Sequence, residues 1–175
     1  LLPAGSTQLT LIDLHDLLDP LLLSAQAVAK ERNLSLETIY GEDIPLIRAN
    51  IPGLREVFSN LIDNALKYTP AGGKVTVEVK NVNNSVEIVF KDTGYGITTS
   101  DQERIFQRHY RGVQAGGDIP GTGLGLAIAK ELITSMGGTI EFISPNPEQT
   151  SSLYPGTVFR VHIPVIPDDN LSIEG

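Results

Sequence analysis

The segment Leu54 to Pro70, Leu-Arg-Glu-Val-Phe-Ser-Asn-Leu-Ile-Asp-Asn-Ala-Leu-Lys-Tyr-Thr-Pro, constrains this chain more than any other stretch. At about 100° per residue it reads as a helix with three faces. Leu54, Val57, Phe58, Leu61 and Ala65 form a broad apolar arc, and Arg55, Ser59 and Asp63 a polar arc suited to water. Asn60, Asn64 and Lys67 stack at i, i+4 and i+7 along one edge of the apolar arc, with Tyr68 just beyond. Asparagine inside a helix costs roughly 0.5–0.7 kcal/mol relative to alanine, so two of them one turn apart ask for a reason. In isolation such a pair is commonly just surface polarity. Here the neighbours add chemistry. A neutral amide oxygen suits a hard cation that already carries phosphate, a lysine one turn on reaches phosphate, and an aromatic beside them packs on a base.

The chain has 175 residues, 41% of them hydrophobic, which is enough material for one domain with a real core. Its net charge of −8 comes without a basic cluster, which argues against nucleic acid or an anionic membrane surface as the main partner. With no cysteine, disulfides, thiolate metal sites and thiol catalysis are excluded. No apolar run approaches the ~18–20 residues of a membrane span. Opening at Leu-Leu-Pro without methionine, the chain reads as a piece of something longer, with residues 1–9 a linker from an upstream domain.

Thr10 to Ile12 reads as a short strand, followed by a helix over about Asp13 to Arg32 in which Pro20 marks a kink or the true first turn. Leu34 to Tyr40 and Leu46 to Ala49 read as strands. After the asparagine helix, Lys74 to Asn81 and Ser85 to Lys91 alternate as a hairpin joined by Asn83-Asn84. Gly73-Lys74 is no P-loop, because Val75 stands where Ser or Thr is required. The second hairpin strand runs into Asp92-Thr93-Gly94-Tyr95-Gly96-Ile97, a carboxylate at a strand end followed by two glycines.

Gln102 to Arg111 carries Ile105-Phe106 and Tyr110-Arg111 and reads as a short amphipathic helix. Gly112 to Pro120 has little to bury and is expected to be mobile. It feeds into Gly121-Thr122-Gly123-Leu124-Gly125-Leu126, which opens a helix running to about Met136. Free N–H groups at such a helix start favour an anion. Leu126, where the dinucleotide fingerprint wants glycine or alanine, removes the Rossmann reading. Thr139 to Ser144 reads as a strand, Pro145 to Pro155 as a polar loop, and Thr157 to Ile163 as a strand with Phe159, Val161 and Ile163 inward. His162 is expected at the surface. The segment 165–175 lacks a core pattern and is expected to be a loosely held acidic tail.

Asn60 to Thr69 resembles the N box of bacterial two-component sensor histidine kinases, members of the GHKL ATP-binding superfamily. Asp92 to Gly96 is similar to the G1 box, Gln102 to Arg111 to the F box, Gly121 to Leu126 to the G2 box, and Gly156-Thr157-Val158-Phe159 to the closing Gly-Thr-x-Phe pattern. Each box alone is modest; their order is the strong signal. The resemblance covers about Thr10 to Pro164 and implies an α/β fold, a two-layer sandwich with a mixed sheet, helices on one face and a flexible ATP lid over about residues 97–120.

What the resemblance implies for chemistry is binding of Mg·ATP and donation of the γ-phosphoryl group to a histidine. Asn64, assisted by Asn60, would hold Mg²⁺, and Lys67 and Arg111 would neutralise phosphate. Tyr68, Ile97 and Leu126 would wall the base, and Asp92 would accept from the adenine amino group, with Thr157 nearby. Gly94 and Gly96 would let backbone approach the nucleotide. Gly121, Thr122, Gly123, Leu124 and Gly125 would hold the triphosphate, with Tyr110 and Arg111 at the lid. Phe106 would face the histidine-bearing helices.

Asn60 stands where the gyrase, Hsp90 and MutL branches usually carry a water-activating glutamate, so fast hydrolysis is not expected. His15-Asp16-Leu17-Leu18-Asp19-Pro20 superficially resembles the phosphoacceptor box, but Leu18 and Asp19 depart from it and no second helix intervenes before the catalytic boxes. His15 is therefore expected to be an ordinary exposed helix residue. The acceptor would lie outside this chain, on a helical hairpin, with a response regulator downstream and a cytoplasmic location. The isolated domain would bind ATP without phosphorylating itself. An anti-sigma serine kinase shares the nucleotide boxes, and a nucleotide-gated interaction module is the non-enzymatic alternative, favoured by the odd residues Tyr95 and His109.

Overall fold

The computed structural model describes residues 9–107 and 124–165. In chain order these form β1 (Thr10–Ile12), α1 (Leu14–Glu31), β2 (Ser35–Tyr40), β3 (Ile47–Ala49), α2 (Ile51–Tyr68), β4 (Lys74–Val82) and β5 (Ser85–Asp92). There follow α3 (Thr99–Gln102), α4 (Leu124–Ser135), β6 (Thr139–Ile143) and β7 (Thr157–Pro164). Five strands make one mixed sheet in the order β2-β4-β5-β7-β6, and β1 and β3 pair separately. Within the large sheet only β2 and β4 run parallel.

Local chemistry sets the helix limits. Asp13 caps α1 by accepting from the His15 amide, and Leu14, Leu17, Leu18, Leu22, Ala25 and Ala29 bury one stripe of it. Asn33, at φ 56°, ends it in the left-handed conformation while Leu34 N–H returns to Ala29 O. Pro20 lies inside α1 rather than at its first turn. Helix α2 starts before Leu54 because Asn50 caps it, its side chain accepting from Gly53 N–H at 2.9 Å. It stops where Thr69 turns extended and Pro70 has no amide to donate.

The sheet buries the face carrying Val75, Val77, Val79, Val86, Ile88, Phe90, Phe159, Val161 and Ile163. Helix α2 lies over it, between α1 and α4, and the Phe58 and Phe90 rings meet at 5.8 Å. The apolar arc of α2 is wider than five residues, since Ile62 and Leu66 are buried as well. Asn83 (φ 43°) and Asn84 (φ 62°) form the two-residue turn of the β4–β5 hairpin, both in the left-handed region that asparagine tolerates.

The opposite face is polar. Lys91 Nζ lies 3.0 Å from Glu78 and 2.8 Å from Glu148, and Glu87 takes Arg160 at 3.4 Å and His162 at 3.0 Å. His162 is thus only partly at the surface. Val89, in register between Glu78 and Arg160, is buried among these long side chains.

One expectation changes. Over the described part of Gln102–Arg111, residues 102–107, the helix ends at Gln102, after which Arg104 N–H bonds Asp101 O and Gln107 N–H bonds Arg104 O. These three-residue steps make tight turns instead of α-helix, with Ile105 buried and Phe106 half-buried. His15 lies in α1 with 41% of its side chain exposed, and has neighbours. Its ring stacks on Tyr40 at 4.0 Å and its Nδ1 lies 2.9 Å from Asp13, while Tyr40 donates to Asp19 at 2.6 Å.

Phe58, fully buried between α2 and the sheet, has the most to lose on truncation. Phe58→Ala should destabilise the domain by about 3–5 kcal/mol, read from the urea midpoint at unchanged slope.

Candidate nucleotide-binding site

Asp92, the last residue of β5, is 7% exposed. Its Oδ1 accepts from Gly94 N–H at 2.9 Å and from Thr157 N–H at 3.1 Å. Both bonds fall on one oxygen, so among the described residues Oδ2 is the atom left for a group that donates. Burial pushes the carboxyl up to about 6, against the opposing pull of the two amides.

The backbone around this carboxylate leaves no room for side chains. A Cβ on Gly94 would sit 2.3 Å from Tyr68 O, and one on Gly156 2.3 Å from Asp92 O. Gly96 and Gly156 both have φ 73°. Gly156 N–H bonds Gly94 O at 3.0 Å, closing the Asp92–Ile97 turn onto the start of β7.

Tyr95 N–H bonds Tyr68 O at 3.1 Å, which ties the end of α2 to the same turn. The helix so tied is the one that carries the Asn60, Asn64, Lys67 line. All three are half-buried, as the edge of an apolar arc should be, and so is Tyr68. They span about 10 Å along the helix axis at 1.5 Å per residue. Asp63 flanks them. Burial raises its carboxyl while Lys67, one turn on, lowers it again. Among the described residues no three His, Cys, Asp or Glu side chains cluster to hold a metal. Neutral amide oxygens at Asn60 and Asn64 fit a Mg²⁺ ion that takes most of its ligands from phosphate and water.

Ile97 and Leu126 are half-buried against the core, and Leu124 and Gly125 begin α4. Tyr110, Arg111, Gly121, Thr122 and Gly123 lie outside the described residues, as do His109 and most of the expected lid. Tyr95 turns toward the β6–β7 loop, where its ring meets Tyr154 edge-on at 5.8 Å.

Three supporting side chains escaped the sequence reading. Asn146, 4% exposed, donates from Nδ2 to Asp92 O at 3.3 Å. Ser144 and Gln102 hold Ile97. Only Asn146 left a trace in the sequence: in Pro145-Asn146-Pro147-Glu148 it makes the side-chain turn that asparagine favours, accepting from Glu148 N–H at 3.0 Å.

Residues 49–167 match the family model described as histidine kinase-, DNA gyrase B- and HSP90-like ATPase. The sensor histidine kinase Hik2 of Synechocystis sp. is 44% identical over 154 residues, covering 85% of this chain and 36% of the relative. The mycobacterial sensor histidine kinase MprB superposes with a TM-score of 0.76 at 28% identity, covering 90% of this chain and 99% of that one. Full-length ShkA in complex with AMPPNP superposes with a TM-score of 0.72 at 27% identity, covering 89% of this chain and 31% of that one. The chain belongs to the histidine kinase-like ATPase family and has the fold of a sensor-kinase catalytic domain. It spans about a third of the length of Hik2.

The raised Asp92 pKa carries a signed consequence. The folded state holds this proton up to about pH 6, whereas the unfolded chain releases it near the ordinary carboxylate value of 3.8. Between these values the native state binds more protons, so stability falls as pH rises and levels off above about 6. The Asp92 contribution amounts to about 3 kcal/mol, roughly two pH units at 1.36 kcal/mol each. Urea midpoints across pH 4 to 7 should show this slope in the native sequence and lose it in Asp92→Asn, which keeps an acceptor for both amides.

Proposed function

We propose that this domain binds Mg·ATP and transfers the γ-phosphoryl group to a histidine on a helical hairpin outside the chain, for relay to a response regulator. The observation that carries the reading is the buried Asp92 carboxylate, anchored through one oxygen by the amides of Gly94 and Thr157, in a turn whose Tyr95 amide bonds the end of the helix bearing Asn60, Asn64 and Lys67. AMPPNP in the ShkA complex agrees with a nucleotide in this fold.

In this reading Oδ2 of ionised Asp92 accepts from the adenine amino group, and Ile97, Leu126 and Tyr68 enclose the ring. Asn64 and Asn60 hold Mg²⁺, which supplies charge neutralisation on the phosphates. Lys67 adds a point charge to the same phosphates. The bond from γ-phosphorus to its bridging oxygen breaks as an imidazole nitrogen of the acceptor bonds to phosphorus, and ADP leaves with the electron pair. Such transfer needs positioning and charge stabilisation more than a base at the phosphorus. Asn60 cannot take a proton from water, so hydrolysis stays slow and the phosphoryl group waits for its acceptor.

Among the described residues no helix is long and apolar enough to cross a membrane. A cytoplasmic location follows from the proposed role. Self-phosphorylation is not expected, since in this reading the acceptor histidine lies on a hairpin outside the chain.

Calorimetric titration with AMPPNP should show saturable binding strengthened by Mg²⁺. Asn64→Ala should weaken the Mg²⁺-dependent complex by about 10–100-fold, as expected for losing a contact to a charged group. An added phosphoacceptor hairpin should then become labelled at histidine from ATP. Binding without such labelling would support a nucleotide-gated interaction module instead.

A further inference from the structure

We propose that Ser144 and Gln102 are positioning residues for the adenine end of this site, acting through the backbone of Ile97. The inference rests on the nucleotide reading and adds to it the device that fixes the base pocket. Ile97 follows Gly96, whose φ of 73° marks a bend that glycine alone would leave loose. Ser144 Oγ accepts from Ile97 N–H at 2.9 Å, and Gln102 Nε2 donates to Ile97 O at 2.9 Å. Two side chains, one from the adjoining helix α3 and one from beyond β6, thus take both polar backbone groups of one residue.

They are also joined to each other and to Asp92. Gln102 Nε2 donates to Ser144 O at 3.0 Å, and Ser144 Oγ donates to Gly156 O at 2.9 Å. The next amide after Gly156 is that of Thr157, which holds Asp92 Oδ1. A single hydroxyl therefore sets the apolar wall at Ile97 relative to the carboxylate at Asp92. A Cβ on Gly96 would lie 3.0 Å from that hydroxyl, so the glycine leaves it room. Ser144 spends its proton inside the protein, and its effect on nucleotide is indirect.

Adenine selection depends on that relative position, because the wall fixes the ring and the carboxylate reads its edge. Removing the hydroxyl leaves Ile97 N–H without its acceptor, a loss that typically reaches a factor of about ten in affinity. The test titrates AMPPNP and GMPPNP into the chain and its Ser144→Ala, Ser144→Thr and Gln102→Ala variants, alongside urea stability and amide exchange at Ile97. Ser144→Ala should bind AMPPNP about tenfold more weakly, lose part of its preference over GMPPNP and exchange faster at Ile97. Gln102→Ala should move all three in the same direction, and Ser144→Thr should restore most of the affinity.

Unchanged affinity and preference in both alanine variants would overturn the inference while native binding upholds the nucleotide site. Weaker binding with the preference and the Ile97 exchange unaltered would overturn it too, marking a merely structural role. Should Ser144→Ala fail to fold, Gln102→Ala decides by the same readouts. No binding by the native chain would overturn the nucleotide reading and this inference together.

Discussion

A carboxylate taken out of water at the end of β5 is the interaction on which the rest of this structure depends. Desolvation works against its charge, and the amides of Gly94 and Thr157 offset part of that cost. Those two amides belong to segments far apart in sequence, so stabilising one side chain fixes the turn after β5 against the first residue of β7. The surrounding glycines follow from the same demand. With backbone this close on both sides, a side chain at position 94 or 156 would collide with a carbonyl oxygen. The site and the sheet register are consequently one construction.

Much of this was legible in residue spacing, for physical reasons that can be named. Helix α2 announced itself through a 3.6-residue apolar repeat, and the β4–β5 hairpin through alternation interrupted by two asparagines that accept a left-handed backbone. Asp92 stood out through its resemblance to the G1 box, a carboxylate at a strand end followed by two glycines. What stayed hidden were bonds with no local period. Ser144 reaches Ile97 across 47 positions and Asn146 reaches Asp92 across 54, and neither leaves a repeat to read. The turns after Gln102 were missed because their apolar residues have helical spacing while their hydrogen bonds do not. The stacking of His15 on Tyr40 was hidden because sequence spacing could not bring that strand beside it.

The two faces of the sheet divide the labour. One is filled by aliphatic and aromatic side chains against three helices and holds the fold together. The other carries Glu78, Glu87, Lys91 and Arg160 in linked ion pairs that keep the surface wet while shielding Val89. These groups are half-buried rather than fully exposed. Their effect here is to let a one-sided sheet go uncovered without presenting an apolar surface to other chains.

The pairing of β5 with both β4 and β7 bears on the order in which the molecule assembles. The β4–β5 hairpin closes through a two-residue turn and is available early, whereas β7 must return across a long intervening chain before its ladder forms. Contacts that close long loops pay their entropy first and are slow to nucleate. The bond from Thr157 to Asp92 belongs to this late set. A partly folded chain therefore has the hairpin but lacks the oriented carboxylate, and competence to read a base arrives only with the final strand. Completion of the fold is in this sense recorded at a single side chain.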